Sequence, residues 1–505
     1  MKNLLEQALQ LSSIVRDLIW GNWMVALLVI TGIVLTVVTG TIQIRKLVTA
    51  LKLVLLGARR QDYSADDKGD ISPFAALMTA LAATVGNGNI AGVATAIATG
   101  GPGAPFWMWV SGFFGMATKY AEGFLGVKFR KIAEDGFMTG GPMYYIRYGL
   151  KNVKFAKFLG AAFAVCGSFA ALFGTGNMAQ SNSMALAFKS QFGISPLISG
   201  LILTALVGMV IIGGIKRIGA VAERLVPTMI FFYMTGALFV ILTRIQFLGE
   251  AFQIIIQSAF SAQAVGGALI GTSVQRAISL GVSRGILSNE SGLGSAAIAQ
   301  SASKSSDPAK NGLIAMTGTF IDTLVVNTMT TLTIILTGVY LLTPATGVRL
   351  VAEGSVLSSN EISMLHPNII ALAEKLGYNL TSGGLSSTAL TAEAFNAVIP
   401  FGGWIIAIAS FLFGYTTLIG WSYYGEQCLE YLVGVKIKRP YRFIYISLLF
   451  LGANLQGRYL DIVWNVGDIS NALMAFPNLI GLLFLAGLVA RITSEAFREG
   501  KSPYS

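Results

Sequence analysis

The sequence predicts an all-α polytopic membrane protein, with one extra N-terminal helix followed by two groups of five helices of opposite orientation. Three observations point there. Apolar residues make up 54% of the 505-residue chain and charged residues 12%, with a mean hydropathy of +0.68; a soluble protein carries roughly 25% charge. The apolar runs are long and continuous, as in Trp23–Gly40 and Ile198–Ile212, whereas an outer-membrane barrel alternates apolar and polar residues over about ten positions. Glycine clusters interrupt two of these runs, each at the head of a group of five.

Windows of about 20 apolar residues give eleven spans, at 20–42, 74–98, 104–127, 155–187, 195–214, 223–245, 250–278, 311–342, 391–422, 441–456 and 464–490. Residues 1–19 read as an amphipathic lead-in without a cleavable signal. Residues 343–390, with Pro344, Gly347, Pro367 and Gly383–Gly384, read as a long polar loop. The resulting units are 1–72 (extra helix and basic loop), 73–246 (first repeat), 247–490 (second repeat) and 491–505 (tail).

Charge orients the chain. Of the 35 Lys and Arg residues, 27 fall in loops on one face, among them Arg45, Arg130, Lys216, Arg276, Arg284, Lys304, Lys438 and Arg491. Only seven, including Arg16, Lys189 and Arg458, fall on the other. The positive-inside rule makes the rich face cytoplasmic, the N-terminus external and the C-terminus internal. The net charge of +11 is then loop charge and implies no nucleic-acid partner. Cys166 and Cys428 lie in apolar helices and imply no disulfide framework. The single histidine, His366, lies outside every span, so a Ser-His hydrolase or His-ligated metal site is hard to assemble. The repeat polar rings of a passive channel are also missing.

The interruption in the second span is "ATVGNGNIAG" (Ala83–Gly92); that in the seventh is "AVGGALIG" (Ala264–Gly271). Glycine and asparagine are poor helix formers, each costing a few tenths to about 1 kcal/mol against alanine. Paired interruptions at matching positions of inverted repeats mark a transporter's midplane site. A broken helix presents free amides to a carboxylate and free carbonyls to a hard cation. Such backbone is tolerated at that depth only where it lines a cavity.

The turn, with "GGPGAPFWMW" (Gly100–Trp109), "SRGILSNESGLGSA" (Ser283–Ala296) and "TTLIGW" (Thr416–Trp421), resembles the alanine or glycine:cation symporter family over nearly the whole length. That resemblance implies a leucine-transporter-type fold of five-plus-five inverted repeats, in the plasma (inner) membrane. It implies uptake of a small neutral amino acid, alanine or glycine, with Na+ as coupling ion and no cofactor. No protein partner follows from it. It puts the substrate carboxylate on the backbone near Asn87, Gly88 and Asn89, and the amine against Val265, Gly266 and Gly267. Gln180 becomes a polar contact and Trp421 a pocket wall. A Na+ site would use the carbonyls of Ala82 and Val85 with the hydroxyls of Thr416 and Thr417, oxygen ligands suited to a hard cation. The chain departs from the family turn, more often GTGN, by carrying Asn87.

Asp322, a carboxylate within a span, is functional by default: a structural or coupling group in the cytoplasmic half. It makes H+ coupling the main alternative, alongside the same fold carrying another small solute. Lys119 and Glu122, at i and i+3, read as a plain ion pair, and "SNESGLGS" (Ser288–Ser295) as a cytoplasmic gate contact.

Overall fold

The computed structural model describes residues 2–59, 68–174, 176–260, 271–342 and 387–497. The helices are α1 (Lys2–Ile19), α2 (Asn22–Val38), α3 (Leu47–Arg59), α4 (Pro73–Thr84), α5 (Val93–Gly100), α6 (Ala104–Lys128), α7 (Pro142–Gly149), α8 (Val153–Phe173), α9 (Met178–Phe192) and α10 (Pro196–Ile211). They continue with α11 (Gly214–Thr243), α12 (Leu248–Phe260), α13 (Gly271–Asn289), α14 (Ser295–Ser301), α15 (Pro308–Thr319), α16 (Thr328–Leu336), α17 (Ser387–Asn396), α18 (Gly402–Val433), α19 (Lys438–Asn454) and α20 (Arg458–Ala496). A two-stranded antiparallel hairpin, Lys131–Ile132 with Met138–Thr139, follows α6. Among the described residues, six helical segments are individually long and apolar enough to cross a membrane. The pair Pro73–Thr84 and Gly88–Gly100, bent by 51°, makes a seventh.

Local sequence explains the starts. Ser72, Ser195 and Asp307 each precede a proline and accept a hydrogen bond from the backbone amide three residues on, capping α4, α10 and α15. Proline at the first helical position lacks only an amide that would have no intrahelical partner. Glycine permits the tight central packing: a Cβ on Gly123 would lie 2.5 Å from the Ala315 Cβ, and one on Gly126 2.5 Å from the Ala297 carbonyl oxygen. So α6 lies almost backbone to backbone on α14 and α15, the small-residue contact that lets membrane helices approach.

Three boundaries differ from the sequence reading. The 155–187 span is two helices, α8 and α9, separated around Gly174–Asn177. The 391–422 span is α17, which ends at Asn396, a turn that passes through left-handed Phe401 (φ 60°), and α18. The 250–278 span is α12 and the start of α13; the "AVGGALIG" glycines before Gly271, with Val265, Gly266 and Gly267, lie outside the described residues.

The interruption that faces the first one lies further along, between α13 and α14, in Glu290–Gly294. Glu290 (φ 55°), Gly292 (φ 93°) and Gly294 (φ 83°) adopt left-handed backbone there. Among the described residues "SNESGLGS" is thus itself a helix break beside the cavity, not a gate contact at the basic face. Threading α13 this way also moves Arg284 off the basic face, for it shares a cavity wall with Arg16 and Lys189.

At the basic face the segments flanking the two broken helices are tied together. Ile71 bridges Ser303, the Asp70 amide donates to the Ala302 carbonyl (2.8 Å) and the Lys304 amide to the Ile71 carbonyl (2.7 Å). Arg130 donates to the Ser303, Ser301 and Lys68 carbonyls (2.5, 3.1 and 2.7 Å). Asp70 accepts the Met138 amide (2.8 Å), and burial holds its carboxyl above the usual carboxylate range.

Candidate substrate and cation site

The first break is built by a diverted amide. In a continuous helix the Gly86 N–H would donate to the Ala82 carbonyl and the Asn89 N–H to the Val85 carbonyl. Instead Gly86 donates to Asn89 Oδ1 (2.8 Å) and Asn89 to the Gly86 carbonyl (3.0 Å). Val85 turns extended (ψ 94°), and the chain re-enters helix through a π turn, Gly88–Gly92.

Asn89 holds this shape together. Its Nδ2 donates to Asp322 Oδ1 (2.7 Å) and Asn327 Oδ1 (2.8 Å), both on a second π turn, Phe320–Asn327. Asp322 Oδ2 accepts from Ser288 Oγ (3.0 Å) and Thr323 Oγ1 (2.8 Å). Asp322 therefore joins the first broken helix to the second, level with the Gly86–Asn89 turn rather than in the cytoplasmic half. Its donors are neutral, and no described Lys or Arg lies within ion-pair distance.

Glu122 holds the second break. Its Oε1 accepts from the Gly292 amide (3.0 Å), the Gly294 amide (2.9 Å) and Asn478 Nδ2 (2.8 Å). Asn478 also donates to the Gly292 carbonyl (2.8 Å) and accepts from the Tyr145 hydroxyl. A carboxylate on the free amides leading into α14 is the arrangement the helix dipole favours. This corrects the plain Lys119–Glu122 pair: Glu122 is fully buried and engages backbone.

Between the breaks lies a cavity of about 1060 Å³, reaching from Gly86, Asn87 and Gly88 past Ser288 and Glu290 to Arg16, Lys189, Trp464 and Asp468. It opens on the face opposite the Arg130 tie. One side is a stripe of α18. Ser410 meets Asn87; Gly414 leaves room for Gln180; Thr417 Oγ1 lies 2.6 Å from where a Gly86 Cβ would be; Trp421 donates to Glu290 Oε1 (2.9 Å).

Of the residues singled out in the sequence, Asn87, Gly88, Gln180, Thr417 and Trp421 line this cavity. Asn89 does not, because its side chain is consumed by the brace. Ala82 and Val85 present the carbonyls whose usual amides are diverted. Thr416 faces away: its hydroxyl sits against Met229 Sδ (3.4 Å). Yet Thr416 and Thr417 both donate to the Phe413 carbonyl (3.0 and 2.9 Å), which gathers three oxygens beside the break. Sequence reasoning missed Phe413, Ser288, Glu290 and Ser410. The i, i+3, i+4 spacing of Phe413, Thr416 and Thr417 was the available signal, since Ser and Thr hydroxyls return to the carbonyl one turn back.

A profile of the Sodium:alanine symporter family matches residues 5–373 and 364–503. The chain is 46% identical over 485 residues to the sodium/alanine symporter AgcS of Methanococcus maripaludis, covering 96% of each chain. It is 34% identical to the "Probable sodium/glutamine symporter GlnT" of Bacillus subtilis, over 97% of this chain and 91% of that one. It is also 34% identical to the sodium/proton-dependent alanine carrier protein of Bacillus sp. strain PS3, over 86% of this chain and 90% of that one.

Proposed function

Because the chain belongs to the sodium:alanine symporter family and is a transporter rather than an enzyme, we propose that it carries alanine or glycine inward with Na+ by alternating access. The observation that carries this reading is the facing pair of helix breaks across one cavity. The turn at Gly86–Gly88 offers backbone to a carboxylate. The break opposite, at Glu290–Gly294 just past Ser288, offers carbonyls to the amine. Gln180 and Trp421 bound the substrate. The cation sits among the Ala82, Val85 and Phe413 carbonyls and the Thr417 hydroxyl, with Thr416 bracing that cluster; oxygen-only ligation suits Na+. The basic face is cytoplasmic, the N-terminus external, and the membrane the inner one. With its outer cavity open and inner segments tied, the protein is outward-facing.

One observation favours H+ as a second coupling ion: Asp322 is a buried carboxylate joined to both broken helices.

Labelled alanine and glycine uptake into proteoliposomes, with Na+, Li+ or K+ outside, tests the proposal. Saturable uptake that needs external Na+ is expected. Uptake indifferent to the external cation overturns Na+ coupling; uptake following an imposed pH gradient in the wild type and not in Asp322→Asn selects H+.

A further inference from the structure

We propose that Asn87 reads the substrate's side chain, and that the chain prefers neutral amino acids whose side chains carry a hydrogen-bond acceptor, a hydroxyl or an amide, over aliphatic ones of equal size. This rests on the symport reading of the same cavity. Asn87 stands where the resembling family turn more often has threonine. Ser410 Oγ donates to its Oδ1 (2.5 Å). That bond uses the amide oxygen and leaves the Nδ2 hydrogens, which find no acceptor among the described residues, on the cavity wall. One turn along α18, a Cβ on Gly414 would stand 2.6 Å from Gln180 Nε2, a buried amide that likewise has no described partner. Asn87 Nδ2 therefore faces the cavity, and Gln180 Nε2 lies buried against α18 in the same wall.

The neighbouring wall is small. Gly92, Ala392, Gly403 and Ala407 continue it outward, leaving space beyond the methyl of alanine. When the cavity closes on a substrate, a donor without an acceptor is desolvated and unpaired. A site built around such a donor discriminates against the analogue lacking the acceptor more strongly than an apolar pocket discriminates by size. Asn87 is a specificity residue, and Ser410 positions it.

The test compares near-isosteric pairs, serine with 2-aminobutyrate and asparagine with leucine, as competitors of labelled alanine uptake. The same pairs are also compared through the ligand-induced rise in Tm of purified protein. The wild type should prefer the polar member of each pair by about tenfold or more. Asn87→Thr should lower that ratio in both pairs, and Ser410→Ala should lower it part-way, through loss of amide orientation. The ratio is internal to each protein, so a change in overall rate does not enter it. A wild-type ratio at or below one, or a ratio unchanged in Asn87→Thr, overturns the proposal. Should Asn87→Thr fail to fold, the wild-type ratio alone decides. Loss of Na+ dependence with the Tm ratio intact would sink the symport reading and leave the side-chain reading standing.

Discussion

At the residue scale, the two asparagines of one turn have opposite employments. Asn87 faces the cavity through Ser410, while Asn89 closes the break on itself and reaches Asp322. The sequence reading put both on the substrate through their backbone, and the structure separates their side chains. Which one lines the cavity was illegible, because a π turn shifts the register after Gly88. Asp322 was legible as important from its place in a span, and its partners were not. Thr417 lends itself to a direct test. Its hydroxyl shares the Phe413 carbonyl with Thr416 and stands against Gly86. Thr417→Ala removes one oxygen of the proposed Na+ shell while keeping the helix. The Na+ concentration for half-maximal uptake is expected to rise about tenfold, the effect of about 1.4 kcal/mol, with little change in Tm. A large fall in Tm with unchanged Na+ dependence would make the hydroxyl structural.

At the element scale, the glycine doublet of "AVGGALIG" lies outside the described residues, and the described break that faces the cavity is "ESGLG". Glycine content alone does not locate a break. The chain must also take left-handed backbone at defined positions and find partners for the freed amides. Gly292 and Gly294 supply the first condition and Glu122, from the adjacent α6, the second. That partner is 170 positions away in the chain, which is why local pattern could not show it. The first break was legible because it carries its own brace, Asn89, three residues from the amide it accepts. Glu122→Ala should therefore orphan two backbone amides and remove one of the acceptors of Asn478 Nδ2. Each buried donor left unpaired costs about 1–3 kcal/mol, so a lowered Tm and slower uptake are expected together. Glu122→Gln keeps one acceptor oxygen and should recover part of the Tm. If Glu122→Ala leaves Tm unmoved, the second break is held by packing alone.

At the scale of the molecule, the cavity and the Arg130 tie belong to one arrangement; in the proposed orientation they are outer and inner, and coupling depends on their exclusivity. One cation moving inward across 100 mV contributes about 2.3 kcal/mol. With equal Na+ on both sides, that alone sustains roughly 50-fold accumulation of a neutral substrate. Such a ratio survives only if the inner side stays sealed while the outer is open. Arg130 gathers the Lys68, Ser301 and Ser303 carbonyls from the segments flanking both broken helices, so it holds that seal directly. Its side chain lies away from the cavity-lining residues, and its replacement should act on the conformational balance before substrate affinity. In Arg130→Ala proteoliposomes carrying a 100 mV potential, the steady-state accumulation ratio is expected to fall well below the wild-type value. Efflux of preloaded alanine should quicken, and the alanine concentration for half-saturation should move little. An undiminished ratio would mean that the Ile71–Ser303 bridge and its neighbouring backbone bonds close the inner face without the guanidinium.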